Sequence, residues 1–239
     1  MVIVGFDTSS ALTSVAVVEG DRVIAERSEL DARRHAEVMA PLLSEVLAES
    51  GITPDQVDAV ACGVGPGPYT GLRVAIATAR ALGLAWDRPV YGLCSLDAMA
   101  AEAFATADVD RLCVAVDARR REVYWAAYAR AEGRTTGPWV MRPSDIDAGH
   151  RALPWVGPAV EQAAELGIVL ATYPQATWVA RTVDALLATG AVASAPSFDL
   201  AEHGADGRGT AAALAGHVLL TPEPLYLRRP DAAVPVVCT

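Results

Sequence analysis

The side chains best suited to chemistry follow the ends of two apolar segments. Asp7 ends the first apolar run and is followed by Thr8 and Ser9. Asp117 ends a second apolar run in the other half of the chain. A carboxylate can hold a hydrated cation, and short hydroxyl side chains leave backbone N–H groups free to bind phosphate. We therefore predict turns that face a nucleotide or a phosphate. The alternative is an ordinary exit from a strand, because Asp and Ser favour turns in any case.

A glycine- and proline-rich segment, Gly65 to Gly71, joins a predicted buried strand to a predicted helix. Gly65 and Gly67 allow positive φ angles and a close approach of the backbone to a ligand, while the prolines stiffen the loop. Thr70 is predicted to cap the helix, whose N-terminal dipole would favour an anion. The segment is neither a Walker loop nor a dinucleotide-binding fingerprint, because the glycine spacing differs from both and the chain contains no lysine. A rigid structural turn is the alternative.

The composition limits the classes of protein to which the chain can belong. It has 239 residues, 52% of them hydrophobic, enough for one large domain or two smaller ones with their own cores. The net charge of −10 argues against a broad electrostatic surface for nucleic acid, so any RNA contact would depend mainly on a partner. No apolar run reaches the length of a membrane span and the N-terminus lacks the basic start of a signal peptide, so we expect a cytoplasmic protein. The cysteines form no CxxC pair and are predicted to be reduced core thiols: Cys62, Cys94, Cys113 and Cys238.

The first half of the chain is predicted to contain three strands, a helix, a strand, a helix, and then a further strand and helix. Glu19 to Asp21 is a tight turn between two strand-like runs, which predicts a hairpin. The first helix is predicted from His35 to Ser50 because apolar residues recur at helical spacing, and Gly51 ends it. The remaining predictions are a capped turn at Thr53–Gln56, a buried strand at Val57–Val64, a helix at Leu72–Ala85, a strand at Pro89–Cys94 and a helix at Ser95–Phe104 with Ser95 as its N-cap.

The second half begins with an apolar strand, Leu112–Val116, that ends in Asp117, much as the first half begins with a strand that ends in Asp7. This similarity indicates two related α/β subdomains, residues 1–105 and residues 106–239, with the last helix and the tail returning to the first subdomain. Further elements are predicted as strands at Glu122–Ala129 and Leu153–Val156, a turn at Gly133–Gly137, helices at Ala159–Leu166, Trp178–Leu187 and Thr210–Leu220, and a loop at His203–Gly209.

Five segments of the chain resemble motifs of the TsaB/YeaZ family. Gly65-Pro-Gly-Pro-Tyr-Thr-Gly-Leu-Arg73 is similar to the family signature GPGSFTGLR. All five segments occur in the family's order and together span nearly the whole chain. Each match is modest alone, but the set is specific. The other four segments are Gly5–Ser9, Leu93–Ala100, Asp117–Tyr124 and Pro224–Arg228.

The resemblance implies the actin-like/Hsp70-like ATPase (ASKHA) fold, an α/β fold whose two subdomains each contain a mixed β-sheet flanked by helices. It also implies a function. Family members are scaffold and activator subunits of a complex in which the catalytic paralogue, TsaD, transfers a threonylcarbamoyl group to N6 of the adenosine next to the anticodon in tRNA. The expected partners are a TsaD-like protein, a TsaE-like ATPase and a second copy of the chain in a homodimer, with tRNA bound indirectly through the complex. No tightly bound cofactor is expected, although ATP or ADP at the complex interface is compatible with the resemblance.

The metal-binding HxxxH pair of the catalytic paralogue has no counterpart in the chain. Aligned by the resemblance, its two histidines fall on Ser95 and Met99, neither of which can replace an imidazole ligand. The resemblance therefore implies a subunit without catalytic or metal-binding residues. The alternative is a small-molecule kinase or ATPase of the same fold that uses Asp7 and Asp117. The histidines present, none of which forms such a pair, are His35, His150, His203 and His217.

Two helices carry the apolar and small residues that a scaffold protein needs for binding partners. The resemblance implies that they form both the homodimer and the heterodimer contact, so that the two assemblies compete; packing on the sheet is the alternative use of the same faces. His35 is expected to be solvated or to face an interface. Arg119–Arg121 is expected to be a solvated strand edge, with contact to RNA or a partner as the alternative. The predicted interface residues are His35, Met39, Leu42, Leu43 and Val46 in the first helix and Val74, Ala77, Thr78 and Ala81 in the second.

Overall fold

A five-stranded mixed sheet forms the first half of the chain. The computed structural model describes residues 1–158, 166–193, 198–199, 210–211 and 219–227. The strands of the first sheet are β1 (Val2–Asp7), β2 (Leu12–Glu19), β3 (Arg22–Leu30), β4 (Ala59–Gly63) and β5 (Val90–Leu93). Their order is β3-β2-β1-β4-β5, with β1 antiparallel to β2 and parallel to β4. The predicted hairpin is confirmed, since β2 and β3 pair antiparallel.

A second five-stranded sheet repeats this topology. Its strands are β6 (Arg111–Asp117), β7 (Val123–Ala129), β8 (Gly133–Met141), β9 (Trp155–Val156) and β10 (Ile168–Leu170). The order is β10-β9-β6-β7-β8, with antiparallel partners on one side of β6 and parallel partners on the other. Two mixed sheets of the same topology, flanked by helices, give the ASKHA fold that the resemblance predicted. The boundary after residue 105 stays a prediction. A separate pair of short strands is formed by β11 (Phe198–Asp199) and β12 (Thr210–Ala211).

Helices cover both faces of the first sheet. They are α1 (His35–Ser50), α2 (Tyr69–Trp86), α3 (Ser95–Thr106), α4 (Ala148–Arg151) and α5 (Ala176–Ala188), with 3-10 turns at Pro54–Gln56 and Pro143–Asp145. Successive side chains of a strand alternate between its faces. Along β1, Val4 and Phe6 therefore pack with α1 and α2, whereas Ile3 packs with α5 on the opposite face. None of the described helices is long and apolar enough to cross a membrane.

Helix α5 belongs to the second half of the chain but packs on the first sheet. It lies so close to β1 that a Cβ on Gly5 would be 2.5 Å from the carbonyl oxygen of Ala176. The N–H of Ala176 donates a 3.0 Å hydrogen bond to the hydroxyl of Ser14 in β2. The two halves are thus joined by a helix that buries the outer face of the first sheet.

Helix α1 begins and ends at the predicted residues. Gly51 follows it in the left-handed conformation, with φ of 65°, and its N–H donates to the carbonyl of Leu47. The capped turn after it is also confirmed, because Thr53 and Gln56 form a capping box. The apolar stripe packs on the sheet through Val38, Met39, Leu42 and Val46.

Two predicted helix caps are wrong. Helix α2 takes Pro68 as its N-cap, so Thr70 lies inside the first turn. Helix α3 takes Cys94 as its N-cap, and no side chain caps it. The hydroxyl of Ser95, predicted as that cap, instead donates to a carboxylate in β1. In both cases a hydroxyl residue near a helix start was the local signal, and long-range packing determined the outcome.

The turn predicted at Gly133–Gly137 is also wrong, because these residues begin strand β8. Gly137 has a φ of 88°, and the pairing of β8 with β7 changes register between Trp125 and Ala127. Glycine in the left-handed region is therefore used here for a bulge inside a strand, where sequence reasoning expected a turn.

Part of the predicted C-terminal structure lies outside the described residues. This applies to residues 159–165, 203–209 and 212–218, and to Arg228 and Cys238. Leu166, predicted to end a helix, lies in a bend, and Thr210 and Ala211, predicted to begin one, form a strand. The predicted helix at 178–187 is confirmed as part of α5.

Candidate functional site

The Asp7 carboxylate lies at the centre of a buried hydrogen-bond network, the strand-end cluster, formed by Asp7, Ser9, Ser95 and the backbone of Gly65. Oδ1 accepts hydrogen bonds of 2.7 Å from both the N–H and the hydroxyl of Ser9. Oδ2 accepts a 2.7 Å hydrogen bond from the hydroxyl of Ser95. The N–H of Gly65 donates to that hydroxyl over 3.3 Å, and the N–H of Ser95 donates to the Gly65 carbonyl over 2.7 Å. The cluster thus joins the end of β1, the glycine-rich loop and the start of α3.

Burial raises the pKa of Asp7 from 3.8 to about 6. Asp7 is fully buried, and desolvation disfavours its charged form more than the hydrogen bonds from Ser9 and Ser95 favour it. Near neutral pH the cluster therefore holds a buried negative charge whose two oxygens are both hydrogen-bonded within the protein.

Two glycines allow the backbone to approach this cluster. A Cβ at Gly63 would lie 1.8 Å from Oδ2 of Asp7, and a Cβ at Gly67 would lie 2.1 Å from the carbonyl oxygen of Ser9. Non-bonded heavy atoms do not come so close, so any larger residue at either position would displace β1 or the loop. The close approach expected of the loop glycines is made to the protein's own first turn.

Thr8 attaches the same turn to helix α2. Its hydroxyl donates to the carbonyl of Gly71 over 2.7 Å and accepts from the N–H of Ala75 over 3.1 Å. Thr8 and Ser9 are as deeply buried as Asp7. All three side chains predicted to face a phosphate in this turn therefore make their hydrogen bonds within the protein.

A cleft of about 380 Å³ opens between the two halves of the chain. Of the residues predicted to face a nucleotide or phosphate, Thr70 and Asp117 line it. The carboxylate of Asp117 accepts a 2.8 Å hydrogen bond from the N–H of Arg119 and lies 3.4 Å from its guanidinium group. Arg33 lines the cleft as well and is exposed. Sequence reasoning missed Arg33, because only the fold brings the residues before α1 next to the turn after β6.

Arg119–Arg121 form the turn between β6 and β7 beside this cleft. All three are exposed, as expected for solvated charge, but they lie in a turn rather than along a strand edge. Their φ angles are 62°, 55° and 62°, in the left-handed region that side chains other than glycine rarely adopt.

His35 is buried, so the expectation of a solvated side chain is wrong, while the alternative that it faces an interface stays a prediction. Its Nδ1 lies 2.7 Å from the hydroxyl of Thr13 in β2, and burial lowers its pKa. A Cβ on Gly71 would lie 3.5 Å from the His35 ring. The imidazole therefore packs between β2 and the first turn of α2, on the wall of the cleft.

A second cavity of about 550 Å³ forms a groove between α1 and α2, which we call the helix groove. Small, exposed residues, Ala36, Ala40 and Ala77, form part of its lining. The structure divides the predicted interface residues into two sets. Met39, Leu42 and Val46 are buried against the sheet, although Met39 also contacts the groove. The set that remains accessible on the outer side is Leu43, Val74, Ala77, Thr78 and Ala81.

The two positions aligned with the metal-binding pair of the catalytic paralogue have structural roles. Ser95 holds Asp7, and Met99 is fully buried in the hydrophobic core. Across the ranges that the structure describes, no group of three His, Cys, Asp or Glu side chains is arranged to hold a metal ion.

Three of the four cysteines are buried and free, as expected for core thiols: Cys62, Cys94 and Cys113. Burial raises the pKa of the Cys94 and Cys113 thiols to about 12. The pKa of Cys62 is raised still further for the same reason. These thiols are therefore protonated and unreactive at neutral pH.

The chain is similar to proteins of known family. Residues 23–203 match the family described as TsaD, tRNA N6-adenosine threonylcarbamoyltransferase. The chain is 38% identical over 241 residues to an uncharacterized protein of Mycobacterium bovis, covering 99% of this chain and 96% of that protein. It is 37% identical over 136 residues to the tRNA threonylcarbamoyladenosine biosynthesis protein TsaB of Haemophilus influenzae, covering 56% of this chain and 57% of that protein. The solved structure of YeaZ from Pseudomonas aeruginosa has a TM-score of 0.69 and 29% identity, covering 79% of this chain and 93% of that chain.

Proposed function

The chain belongs to the TsaB/YeaZ family, and from this premise we propose that it is a non-catalytic subunit of a tRNA-modifying complex, where it activates a TsaD-like partner. That partner transfers threonylcarbamoyl to N6 of the adenosine next to the anticodon. The match to the TsaD transferase family and the TsaB relative of Haemophilus influenzae both support a place in this tRNA-modifying complex.

We infer the non-catalytic role from the structural roles that Ser95 and Met99 have in this chain. The catalytic paralogue needs two imidazoles at these aligned positions to hold its metal. Here the hydroxyl of Ser95 donates to Oδ2 of Asp7 over 2.7 Å, and Met99 is packed in the core. Neither side chain could become a ligand without breaking the structure around it.

The helix groove is the surface through which we propose that the TsaD-like partner binds. Its small side chains allow another helix to approach closely, and its half-buried apolar residues, including Leu43 and Val74, would be removed further from water on binding. A homodimer through the same groove would compete with the TsaD-like partner. A TsaE-like ATPase, tRNA held through the complex, and ATP or ADP at the complex interface complete the proposed assembly.

A small-molecule kinase or ATPase that uses Asp7 and Asp117 is the less favoured alternative. Such an enzyme requires a carboxylate that reaches its substrate, whereas both oxygens of Asp7 are bonded inside the strand-end cluster. Asp117 lines the cleft, but it is paired with Arg119. Asp7 would have to break these hydrogen bonds before it could take part in phosphoryl transfer or ATP hydrolysis.

Reconstitution of the modification reaction tests the proposal. Unmodified tRNA is incubated with a TsaD-like protein, a TsaE-like ATPase and supplied threonylcarbamoyl-adenylate, with or without this chain. We expect no product from this chain alone, and product from the mixture only when the chain is present. Equal modification in its absence would contradict the activator role, and modification by the chain alone would contradict the non-catalytic role.

A substitution in the groove tests the docking surface. Ala77→Arg places a charged side chain in the lining of the groove, where it must be desolvated on binding, so we expect affinity for the TsaD-like protein to fall about a hundredfold. Ala48→Arg is the matched control, because Ala48 is exposed on α1 and lies outside the groove lining. Affinities are measured by titration calorimetry. Equal affinities for both variants and the wild type would exclude the groove.

A further inference from the structure

We propose that Tyr226, in the C-terminal segment 219–227, positions Tyr69 and Arg73 at one end of the helix groove, so that this segment completes the partner-binding surface. The inference rests on the proposed docking function. It adds that α1 and α2 alone do not form the whole binding surface, because part of it depends on a residue more than 150 positions away from Arg73.

The C-terminal segment is anchored to the first sheet at several points. Leu220 and Gly92 form an antiparallel bridge with hydrogen bonds of 2.7 and 2.8 Å. The N–H of Leu225 donates to the carbonyl of Val64, at the start of the glycine-rich loop, over 2.8 Å. Leu225 and Leu227 are each 1% exposed and belong to the main hydrophobic core. Tyr226 lies between these two leucines and is half-buried, so its backbone is anchored on either side.

The ring of Tyr226 stacks on the ring of Tyr69, with centroids 5.0 Å apart and planes inclined by 23°. The guanidinium carbon of Arg73 lies 3.9 Å from the centroid of the same Tyr69 ring. The Nε–H of Arg73 also donates a 3.2 Å hydrogen bond to the hydroxyl oxygen of Tyr226. The three side chains therefore form a closed set, the Tyr-Arg clasp, in which each contacts the other two.

The clasp lies where the partner is proposed to bind. Tyr69 and Arg73 line the helix groove and both are exposed, whereas Tyr226 supports them from behind. Tyrosine and arginine are the residue types most often found among the few contacts that dominate binding at protein interfaces. Holding them in one conformation before binding reduces the entropy lost when the partner arrives.

The clasp also indicates the chemistry of the partner at this point. Arg73 contacts the two tyrosines through its Nε–H and the face of its guanidinium group, and its side chain is exposed. We infer that the TsaD-like partner places a carboxylate against Arg73, while its apolar helix fills the rest of the groove. A bidentate pair with arginine would fix the register of that helix.

Three substitutions test the positioning role by affinity for the TsaD-like protein. Tyr226→Ala removes the stack and the hydrogen bond, and we expect Kd to rise about tenfold. Tyr226→Phe keeps the stack and loses only the hydroxyl, so Kd is expected to rise no more than about threefold. Tyr91→Ala is the matched control: Tyr91 is also half-buried but packs on the opposite face of the sheet, and its loss should leave Kd unchanged.

A double-mutant cycle separates positioning from a general loss of stability. If Tyr226 acts through Tyr69 and Arg73, then replacing both of them by alanine weakens binding, and adding Tyr226→Ala to that pair causes almost no further loss. Additive effects of Tyr226→Ala and the Tyr69→Ala, Arg73→Ala pair would overturn the proposal. Wild-type affinity in Tyr226→Ala would also overturn it if Ala77→Arg abolishes binding. In that case the partner uses the groove but does not depend on Tyr226. Wild-type affinity in Ala77→Arg as well would instead exclude the groove itself. If Tyr226→Ala does not fold, the Tyr226→Phe and Arg73→Ala pair gives the same cycle for the hydroxyl contact.

Discussion

Replacing Asp7 by asparagine should remove a pH dependence of stability that opposes the usual behaviour of carboxylates. Most acidic groups are paired or hydrogen-bonded in the folded state, have lowered pKa values, and lose stability as the pH falls. Burial has the opposite effect on Asp7 by raising its pKa from 3.8 to about 6. The folded chain therefore binds this proton more tightly than the unfolded chain does. The contribution of Asp7 to the free energy of unfolding is fully present below about pH 4 and is lost as the pH rises through about 6.

The size of this effect follows from the two pKa values. A change from 3.8 to about 6 corresponds to about 3 kcal/mol at about 1.4 kcal/mol per pH unit. Because Asp7 is fully buried, solvent does not screen the effect. Asparagine has nearly the same shape and does not titrate. Its carbonyl oxygen can keep both hydrogen bonds from Ser9, and its amide can donate to the hydroxyl oxygen of Ser95. The Asp7→Asn variant should therefore fold and lack the pH-dependent contribution of Asp7 to the free energy of unfolding.

Urea unfolding of the wild type and of Asp7→Asn between pH 4 and pH 8 measures the term as a difference between the two proteins. Taking the difference cancels the titration of the other carboxylates, which both proteins share. Relative to the variant, the wild type should lose about 2.5 kcal/mol from pH 4 to pH 7, somewhat less than the full effect because Asp7 of the unfolded chain is already partly ionised at pH 4. The exposed Asp108→Asn serves as the control and should show a nearly flat difference. A flat difference for Asp7→Asn, or one in which the wild type gains stability with pH, would show that the hydrogen bonds outweigh desolvation.

Further predictions concern glycine, a buried ion pair and the thiols. Gly63→Ala should destabilise the fold by more than 3 kcal/mol or prevent folding, because its Cβ would overlap Asp7, whereas Gly167→Ala meets no atom within 4 Å and should be nearly neutral in thermal unfolding. Arg134→Met should lower the free energy of unfolding in urea by about 3–5 kcal/mol, because the carboxylate of Asp97, 3.5 Å from the arginine, is then buried without its cation. Adding Asp97→Asn should recover part of this loss, and additive effects of the two substitutions would contradict the pairing. A thiol reagent should titrate at most one cysteine per native chain and all four in denaturant, since Cys62, Cys94 and Cys113 are buried; rapid reaction of two or more native thiols would contradict their burial.

Sequence reasoning succeeded where the determining signals are local. The first helix was predicted to the residue because its apolar spacing is regular and because Gly51 can adopt the left-handed conformation that ends a helix. The capping box at Thr53 is likewise a signal contained within four residues. The repeated strand that ends in aspartate indicated two related halves, and the two sheets have the same strand order.

The failures arose where distant residues compete for a group. The hydroxyl of Ser95 was expected to cap its own helix, but it donates a hydrogen bond to the buried carboxylate of Asp7, 88 residues away, and accepts one from the N–H of Gly65. Burying that carboxylate unpaired would cost more than losing one cap, so the long-range contact prevails. The same cause explains why some apolar residues of α1 are buried while others stay accessible. Leu42 and Leu43 are adjacent in sequence and equally apolar, yet only the packing of α1 on the sheet decides that Leu42 is buried while Leu43 stays accessible.

The strand-end cluster and the Tyr-Arg clasp act on the same element, helix α2. At its first turn, Thr8 bonds to the backbone of Gly71 and Ala75, which fixes the helix to β1. Between these two residues in the sequence, Arg73 is held by Tyr226 from the C-terminal segment. The glycine-rich loop lies between these attachments, with Gly65 bonded to Ser95 and Val64 bonded to Leu225. A loop of this composition, when it follows a buried strand, suggests an anion-binding site. In this chain its glycines are used to bring β1 and the loop together, and the outcome is a helix held at its N-terminal end from two directions. A rigidly held helix is what a docking surface requires, because every side chain that is ordered before the partner binds is one whose entropy need not be lost on binding.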